Sequence, residues 1–172
     1  MDDNVDDTLR WLPSIALFGG LEERTLRRII AMMEVRHFEP GTEVCRQDET
    51  GRAMFLIRSG EIAVYRGVGA RRVKMVRMGP GEFFGEMTLI DVQRRSATVI
   101  VEQPALLYSL CNRDLYRLYQ EDVPGYVMIL QNLCRELSRR LRATNIRLQA
   151  LAEEREDTEQ TQIHAAIEPK PI

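Results

Sequence analysis

Ala53 to Arg66 reads AMFLIRSGEIAVYR, branched and aromatic residues interleaved with polar ones and interrupted at Ser59-Gly60. A Gly-broken run of this composition predicts short strands separated at the glycine rather than a helix. The same pattern extends in both directions. Upstream, VRHFEPGTEVCRQ (Val35–Gln47) reads as strands broken at Pro40-Gly41; downstream, RRVKMVRM (Arg71–Met78) alternates basic with apolar residues. ATVIVEQPALLYSLC (Ala97–Cys111) reads as two more strands with a bend near Gln103-Pro104. Strands recurring every eight to twelve residues or so, with Gly/Pro turns between them, predict a sandwich or a jelly roll.

Helical periodicity brackets this core. Asp6–Leu12 reads as a short helix ended near Pro13, and Gly19–Met33 as a second with an apolar stripe at Leu21, Leu26, Ile29, Ile30 and Met33. After Cys111 the helical pattern returns, with Asn112 as the expected N-cap of RDLYRLYQ and Pro124 in the first turn of a long helix reaching about Ala152. The stretch EEREDTEQTQIHAAIEPKPI is polar and acid-rich, and is read as frayed helix passing into disorder. The expected organisation is a helical lead over 1–13, a β-rich domain over 14–122, a long helix over 123–152 and a polar tail over 153–172.

Composition narrows the function classes. A net charge of −2 gives no whole-molecule field for holding nucleic acid, and no apolar run approaches the roughly 18 residues that a membrane span needs. The acidic start MDDNVDDTLR lacks a signal-peptide pattern, so a cytoplasmic protein is expected. Cys45, Cys111 and Cys134 are far apart with no CxxC pair, and are read as reduced, mostly buried thiols; His37 and His164 have no nucleophile or metal partner nearby in sequence. Asp91, Glu82 and Glu86 are close in sequence, but no second catalytic group or cofactor motif accompanies them. No enzyme activity and no metal are expected.

The long helix carries a heptad seam: Val127, Leu130, Cys134, Leu137, Leu141, Thr144, Leu148 and Leu151 recur at alternating spacings of 3 and 4. Its first turns are expected to pack on the β core. Beyond Leu137 the polar flanks, with Arg135, Glu136, Arg139, Arg140, Arg142 and Arg147, leave a narrow stripe suited to a partner helix. A parallel homodimer through residues 127–151 is therefore expected. Thr144 interrupts the seam, which either costs some stability or gives its hydroxyl a task. The arginines are read as a solvated face or as partners for Glu136 and its neighbours.

Phe84 to Val99, FGEMTLIDVQRRSATV, contains the candidate site. Gly85 permits a tight turn and close backbone approach to a ligand. Glu86 to Ile90 can form one short helical turn whose N–H groups face an anion, and Arg95 can supply the counter-charge. Glu86 would repel a phosphate, so its fitting task is to accept hydrogen bonds from a hydroxyl pair, as a ribose offers. The segment asks for a compact ligand with one phosphate charge and a sugar hydroxyl. GVGA (Gly67–Ala70) lacks the third glycine and the helix of a dinucleotide site and reads as a hairpin turn.

At these residues the chain resembles the cyclic-nucleotide-binding domain family, whose phosphate-binding cassette has the form F-G-E, small apolar residues, then R-x-A-T-V. Here it stands as Phe84-Gly85-Glu86-Met87-Thr88-Leu89-Ile90, then Arg95-Ser96-Ala97-Thr98-Val99, with the Gly-to-Arg spacing of kinase regulatory subunits. The resemblance covers roughly residues 14–151, including the Gly41 and Gly60 turns and GPGEFFGE. It implies a mainly β fold, a jelly roll (double-stranded β-helix) with N-terminal helices and a long C-terminal dimerisation helix. It also implies that Arg95 pairs with the cyclic phosphate, that Gly85, Ser96 and Ala97 donate to it, and that Glu86 takes the ribose 2′-hydroxyl. Phe84, Met87 and Thr88 complete the ligand-binding set.

RRLRATNIRL (Arg139–Leu148) resembles the central helix of the catabolite activator branch. That resemblance implies that Thr144 meets the adenine amino group and that Asn145 reaches in from the partner subunit. Asn145 departs from the serine usual there, and Ser96 can serve a syn guanine, so base choice stays open with cAMP favoured over cGMP. The transcription-factor branch continues into a winged helix-turn-helix; the polar residues after Leu151 cannot build one. The expectation is a stand-alone cyclic-nucleotide sensor signalling through an unknown protein partner, with no nucleic acid and no membrane. The alternative is a constitutive dimeric scaffold with a vestigial pocket.

Overall fold

The computed structural model describes residues 5–167 apart from 68, 92 and 93; of residue 70 and of residues 154 onward only the backbone is described. The chain divides into two compact units, Met1–Leu133 and Cys134–Ile172.

Six strands form the sheet of the first unit: β1 (Glu34–Phe38), β2 (Glu43–Cys45), β3 (Ala53–Arg66), β4 (Val73–Met78), β5 (Phe83–Phe84) and β6 (Thr98–Cys111). All pairings are antiparallel, in the order β1-β6-β3-β4, with β2 on β6 and β5 on β3. The expected breaks at Ser59-Gly60 and Gln103-Pro104 are bends inside two continuous 14-residue strands, not ends of four short ones. The two bends face each other. Register slips between Ile57 and Ile62 lie opposite the Gln103–Leu106 stretch of β6. Gly60 takes φ +88°, and a Cβ there would collide with the Pro104 carbonyl, so glycine on one strand and proline on the other turn the ribbon together.

The bend gives the sheet two halves. Ala53–Ile57 pair with Leu107–Cys111 between β1 and β5, and Ile62–Tyr65 pair with Thr98–Val101 between β4 and β2. This is the expected roll. Its inward side chains, among them Cys45, Phe55, Ile57, Ile62, Phe84, Val99, Val101 and Leu107, form one buried cluster. Each fully buried aliphatic or aromatic side chain contributes roughly 1.5–3 kcal/mol. The Gly67–Ala70 segment lies in the connection of a β3–β4 hairpin, with Arg66 opposite Val73.

The α-helices among the described residues are α1 (Val5–Trp11), α2 (Glu23–Met32), the one-turn α3 (Met87–Ile90), α4 (Asn112–Glu121) and α5 (Val123–Ile167), of which α5 runs from the first unit into the second. α4 is capped by Cys111 rather than the expected Asn112, in a reciprocal box in which the Asp114 carboxylate accepts from the Cys111 N–H at 2.9 Å. Asp122, between α4 and α5, is buried and accepts from the Thr25 hydroxyl at 2.5 Å and the Gly125 N–H at 3.1 Å, with Arg28 at 3.4 Å. The Asn132 amide donates to the Leu17 and Gly19 carbonyls at 3.1 and 2.9 Å. These bonds fasten the first turns of α5 to the N-terminal segment.

The face of α5 that is buried differs from the expected one. Gly125, Ile129, Asn132 and Leu133 are buried, whereas Val127 and Cys134, the first and third seam positions, are exposed. The seam is offset from the packing face, because the core takes the side of the helix that carries Asn132. The helix also continues past the expected end at Ala152 to Ile167, since the polar residues there include good helix formers and no internal proline. The part of the disordered-tail expectation that falls on 168–172 lies outside the described residues.

Candidate functional site

Three turns of chain meet at one end of the roll. The first is the end of β5. Phe84 pairs with Phe55 across the strands, and their rings stack at 5.2 Å, which delivers Gly85 beside β3. Gly85 takes φ +73°, and a Cβ there would collide with Arg95 Nη1 and sit 3.2 Å from the Ala53 carbonyl. Only glycine both adopts this turn and admits the guanidinium.

The second is α3. The Thr88 hydroxyl and N–H both donate to the Gly85 carbonyl, at 2.7 and 3.2 Å, the Leu89 N–H donates to the Glu86 carbonyl at 3.0 Å, and the Asp91 N–H to the Met87 carbonyl at 3.0 Å. The expectation that the amides of this turn all face an anion therefore needs correction: those of Thr88 and Leu89 close the turn on itself. Glu86, at the start of the turn, is only 6% exposed.

The third is the segment that leads into β6. Arg95 is clamped by its backbone, its N–H donating to the Glu49 carbonyl and its carbonyl accepting from the Asp48 N–H, both at 2.8 Å. Arg94 adds a donor bond to the Asp48 carbonyl at 2.9 Å. The Arg95 side chain is 7% exposed. Nη2 donates to the Ala53 carbonyl at 2.7 Å, and the guanidinium carbon lies 5.8 Å above the Phe55 ring. Nε and Nη1 are buried without a hydrogen-bond partner, and no carboxylate among the described residues pairs with Arg95. A buried cation with two idle donors is unfavourable unless acceptors answer them, and an anionic phosphate oxygen answers a guanidinium N–H with a charge-assisted bond.

The structure thus brings Phe84, Gly85, Thr88 and Arg95 together. Ser96 and Met87 are exposed, and Ala97 is half-buried. Thr144 and Asn145 belong to the second unit, where both are exposed and the Thr144 hydroxyl donates to the Arg140 carbonyl at 2.9 Å. Sequence reasoning missed Gly51, Ala53 and Phe55. Gly51 reads as an ordinary turn glycine, and nothing local ties it to Arg95.

Other groups are engaged elsewhere. The Arg139 and then the Arg140 guanidinium hold the Glu136 carboxyl below the usual carboxylate range against its burial, which accounts for two of the basic residues on α5. Of the three thiols expected to be mostly buried, Cys45 is buried, Cys111 is half-buried and Cys134 is exposed, because Cys134 lies off the packed face of α5; burial pushes the Cys45 thiol up, away from reactivity. Among the described residues no group of three or more His, Cys, Asp or Glu is placed to hold a metal ion, and no helix is long and apolar enough to cross a membrane.

A family model for the cyclic nucleotide-binding domain matches residues 35–122, from β1 through the cassette to α4. The chain belongs to this family. It is 30% identical over 137 residues to the cyclic AMP receptor protein of Thermus thermophilus, covering 79% of this chain and 62% of that protein. It is 27% identical over 110 residues to the cGMP-dependent protein kinase egl-4 of Caenorhabditis briggsae, covering 63% of this chain and 15% of the kinase. The cyclic nucleotide-gated channel alpha-4 of Mus musculus matches at 25% identity, over 83% of this chain and 25% of the channel. The chain therefore spans less than two thirds of each of these relatives. Among solved structures, the Thermus thermophilus catabolite activator protein superposes with a TM-score of 0.69 at 30% identity, covering 80% of this chain and 63% of that one. A cyclic nucleotide-binding domain from Methylobacillus flagellatus shares the fold, with a TM-score of 0.73 at 24% identity over 83% of this chain and 81% of the other.

Proposed function

We propose that this cyclic nucleotide-binding domain protein is a sensor that takes cAMP in preference to cGMP and signals through a protein partner rather than through DNA. The observation that carries the reading is Arg95: a guanidinium held rigid and buried, with Nε and Nη1 unsatisfied, beside the tight Gly85 turn. In this proposal Arg95 pairs with the cyclic phosphate, and Gly85, Ser96 and Ala97 donate to it. Glu86 accepts from the ribose 2′-hydroxyl, and Thr144 and Asn145 meet the base. The relatives' names include both a cyclic AMP receptor and cGMP-dependent kinases, so ligand choice is the finer part of the proposal. The exposed apolar residues Val127, Leu141, Leu148 and Leu151 support a parallel homodimer through residues 127–151.

That same exposed seam favours a second reading, a constitutive dimeric scaffold whose pocket is vestigial. Calorimetric titration of cAMP, then cGMP, into protein freed of ligand separates the two, with Arg95→Ala as control. A charge-assisted bond of this kind is worth roughly 1.5–3 kcal/mol, so Arg95→Ala should weaken cAMP by about one to two orders of magnitude. No heat with either nucleotide would leave the scaffold.

A further inference from the structure

Gly51 lies between β2 and β3, and is buried although its φ is outside the left-handed region. Its φ imposes no left-handed strain on a side chain, so what an added side chain meets there is a matter of space. A Cβ at Gly51 would stand 2.6 Å from Thr88 Cγ2, 2.7 Å from Arg95 Nε and 2.9 Å from Arg95 Cζ. Real Cβ atoms do not approach heavy atoms within 3.0 Å, so something must move.

The neighbours have little room to give way. Thr88 is buried and tied by its hydroxyl to the Gly85 carbonyl. The Arg95 guanidinium is bonded to the Ala53 carbonyl, lies over Phe55, and presses Nη1 against Gly85. The loop that bears Gly51 is also the loop that clamps the Arg95 backbone, through Asp48 and Glu49. A displacement of the loop therefore carries the arginine with it.

From this packing we infer that Gly51 is a positioning residue for the anion site: it touches no ligand, and its missing side chain is the seat that sets where Arg95 Nε and Nη1 point. The consequence for cyclic-nucleotide affinity rests on the reading under Proposed function; the positioning itself does not. Gly51→Ala displaces the guanidinium from the Ala53 carbonyl and shifts its idle Nε–H and Nη1–H groups away from the anion they serve.

The test compares Gly51→Ala with Gly79→Ala, a glycine at which an added Cβ meets nothing within 4 Å and φ is unstrained. The ¹H–¹⁵N cross-peak of the Arg95 Nε–H is assigned by its loss in Arg95→Lys, with no ligand present. It should shift or broaden in Gly51→Ala and stay in place in Gly79→Ala. Calorimetry should show cAMP affinity falling at least tenfold in Gly51→Ala alone. If Gly51→Ala does not fold, Gly51→Ala/Arg95→Ala, which removes one of the two obstructing side chains, should fold. An unmoved cross-peak, unchanged cAMP affinity in a folded variant, or failure of the double variant to fold would each overturn the inference. If the wild type binds neither cAMP nor cGMP, the proposed function fails, and the cross-peak alone decides the role of Gly51.

Discussion

Arg95 has functional geometry that works against stability. A buried guanidinium with two N–H groups idle carries a desolvation penalty of about 1–3 kcal/mol, which an anion offsets and solvent does not. Arg95→Met keeps most of the apolar stem over Phe55 and removes the charge. The expected outcome is a ligand-free protein that melts a few degrees higher, roughly 2–4 °C per kcal/mol for a chain of this size, and binds cAMP about one to two orders of magnitude more weakly. A differential scanning measurement showing a lower melting temperature would mean that the Nη2 bond to the Ala53 carbonyl outweighs the idle donors. Asp122 is the opposite kind of residue, a buried charge fully answered. The Thr25 hydroxyl first, then the Gly125 N–H and the charges of Arg24 and Arg28, hold its carboxyl below the ordinary aspartate range, against the upward push of burial. A depressed folded value means that its contribution is complete above about pH 4 and drains as pH falls through that folded value. Asp122→Asn should therefore lower the melting temperature clearly at pH 7, with hydrogen bonds to a charged group worth about 1.5–3 kcal/mol, and progressively less as the pH approaches 2. A gap independent of pH would assign the effect to packing instead.

Among the elements, α5 separates two jobs by rotation about its axis. Gly125, Ile129, Asn132 and Leu133 face the fold, while Leu141, Leu148 and Leu151, each more than half exposed, continue a separate seam. If the seam zips two copies, Leu141→Asp or Leu148→Asp should convert a dimer to a monomer in sedimentation equilibrium without lowering the melting temperature of the β-roll; a wild type that is monomeric at tens of micromolar would remove the dimer from the proposal. The heptad spacing was legible in the sequence because it is a local repeat. The packing face was not, because it depends on Asn132 finding the Leu17 and Gly19 carbonyls more than a hundred residues away. The same divide runs through the sheet. Ser59-Gly60 and Gln103-Pro104 announced bends, since turn chemistry is written locally. That β3 and β6 run unbroken through them follows from their facing each other, which no single stretch records. In the site, the Gly85 turn and the arginine could be read from FGE and RSATV, whereas the seat made by Gly51, Ala53 and Phe55 is a product of the fold.

At the scale of the whole molecule, binding and association are linked by free energy. Coupling between two sites is reciprocal: the factor by which dimerisation changes affinity for a ligand equals the factor by which that ligand changes dimerisation. Under the proposed function, cAMP engages Thr144, a seam residue, so the dimer should bind it more tightly than the monomer, by about 5- to 150-fold if the coupling is of ordinary size. The monomeric Leu141→Asp variant should then bind cAMP more weakly by that factor, and saturating cAMP, which fills one site in each of the two protomers, should lower the wild-type dimer dissociation constant by the square of that factor. Thr144→Ala should shrink both effects together while the affinity due to Arg95 persists in part. Calorimetry on the two variants and sedimentation of the wild type with and without cAMP measure the two factors independently. Equal cAMP affinity in monomer and dimer, with a dimer constant indifferent to cAMP, would uncouple the nucleotide from the helix and leave the output to another face of the β-roll.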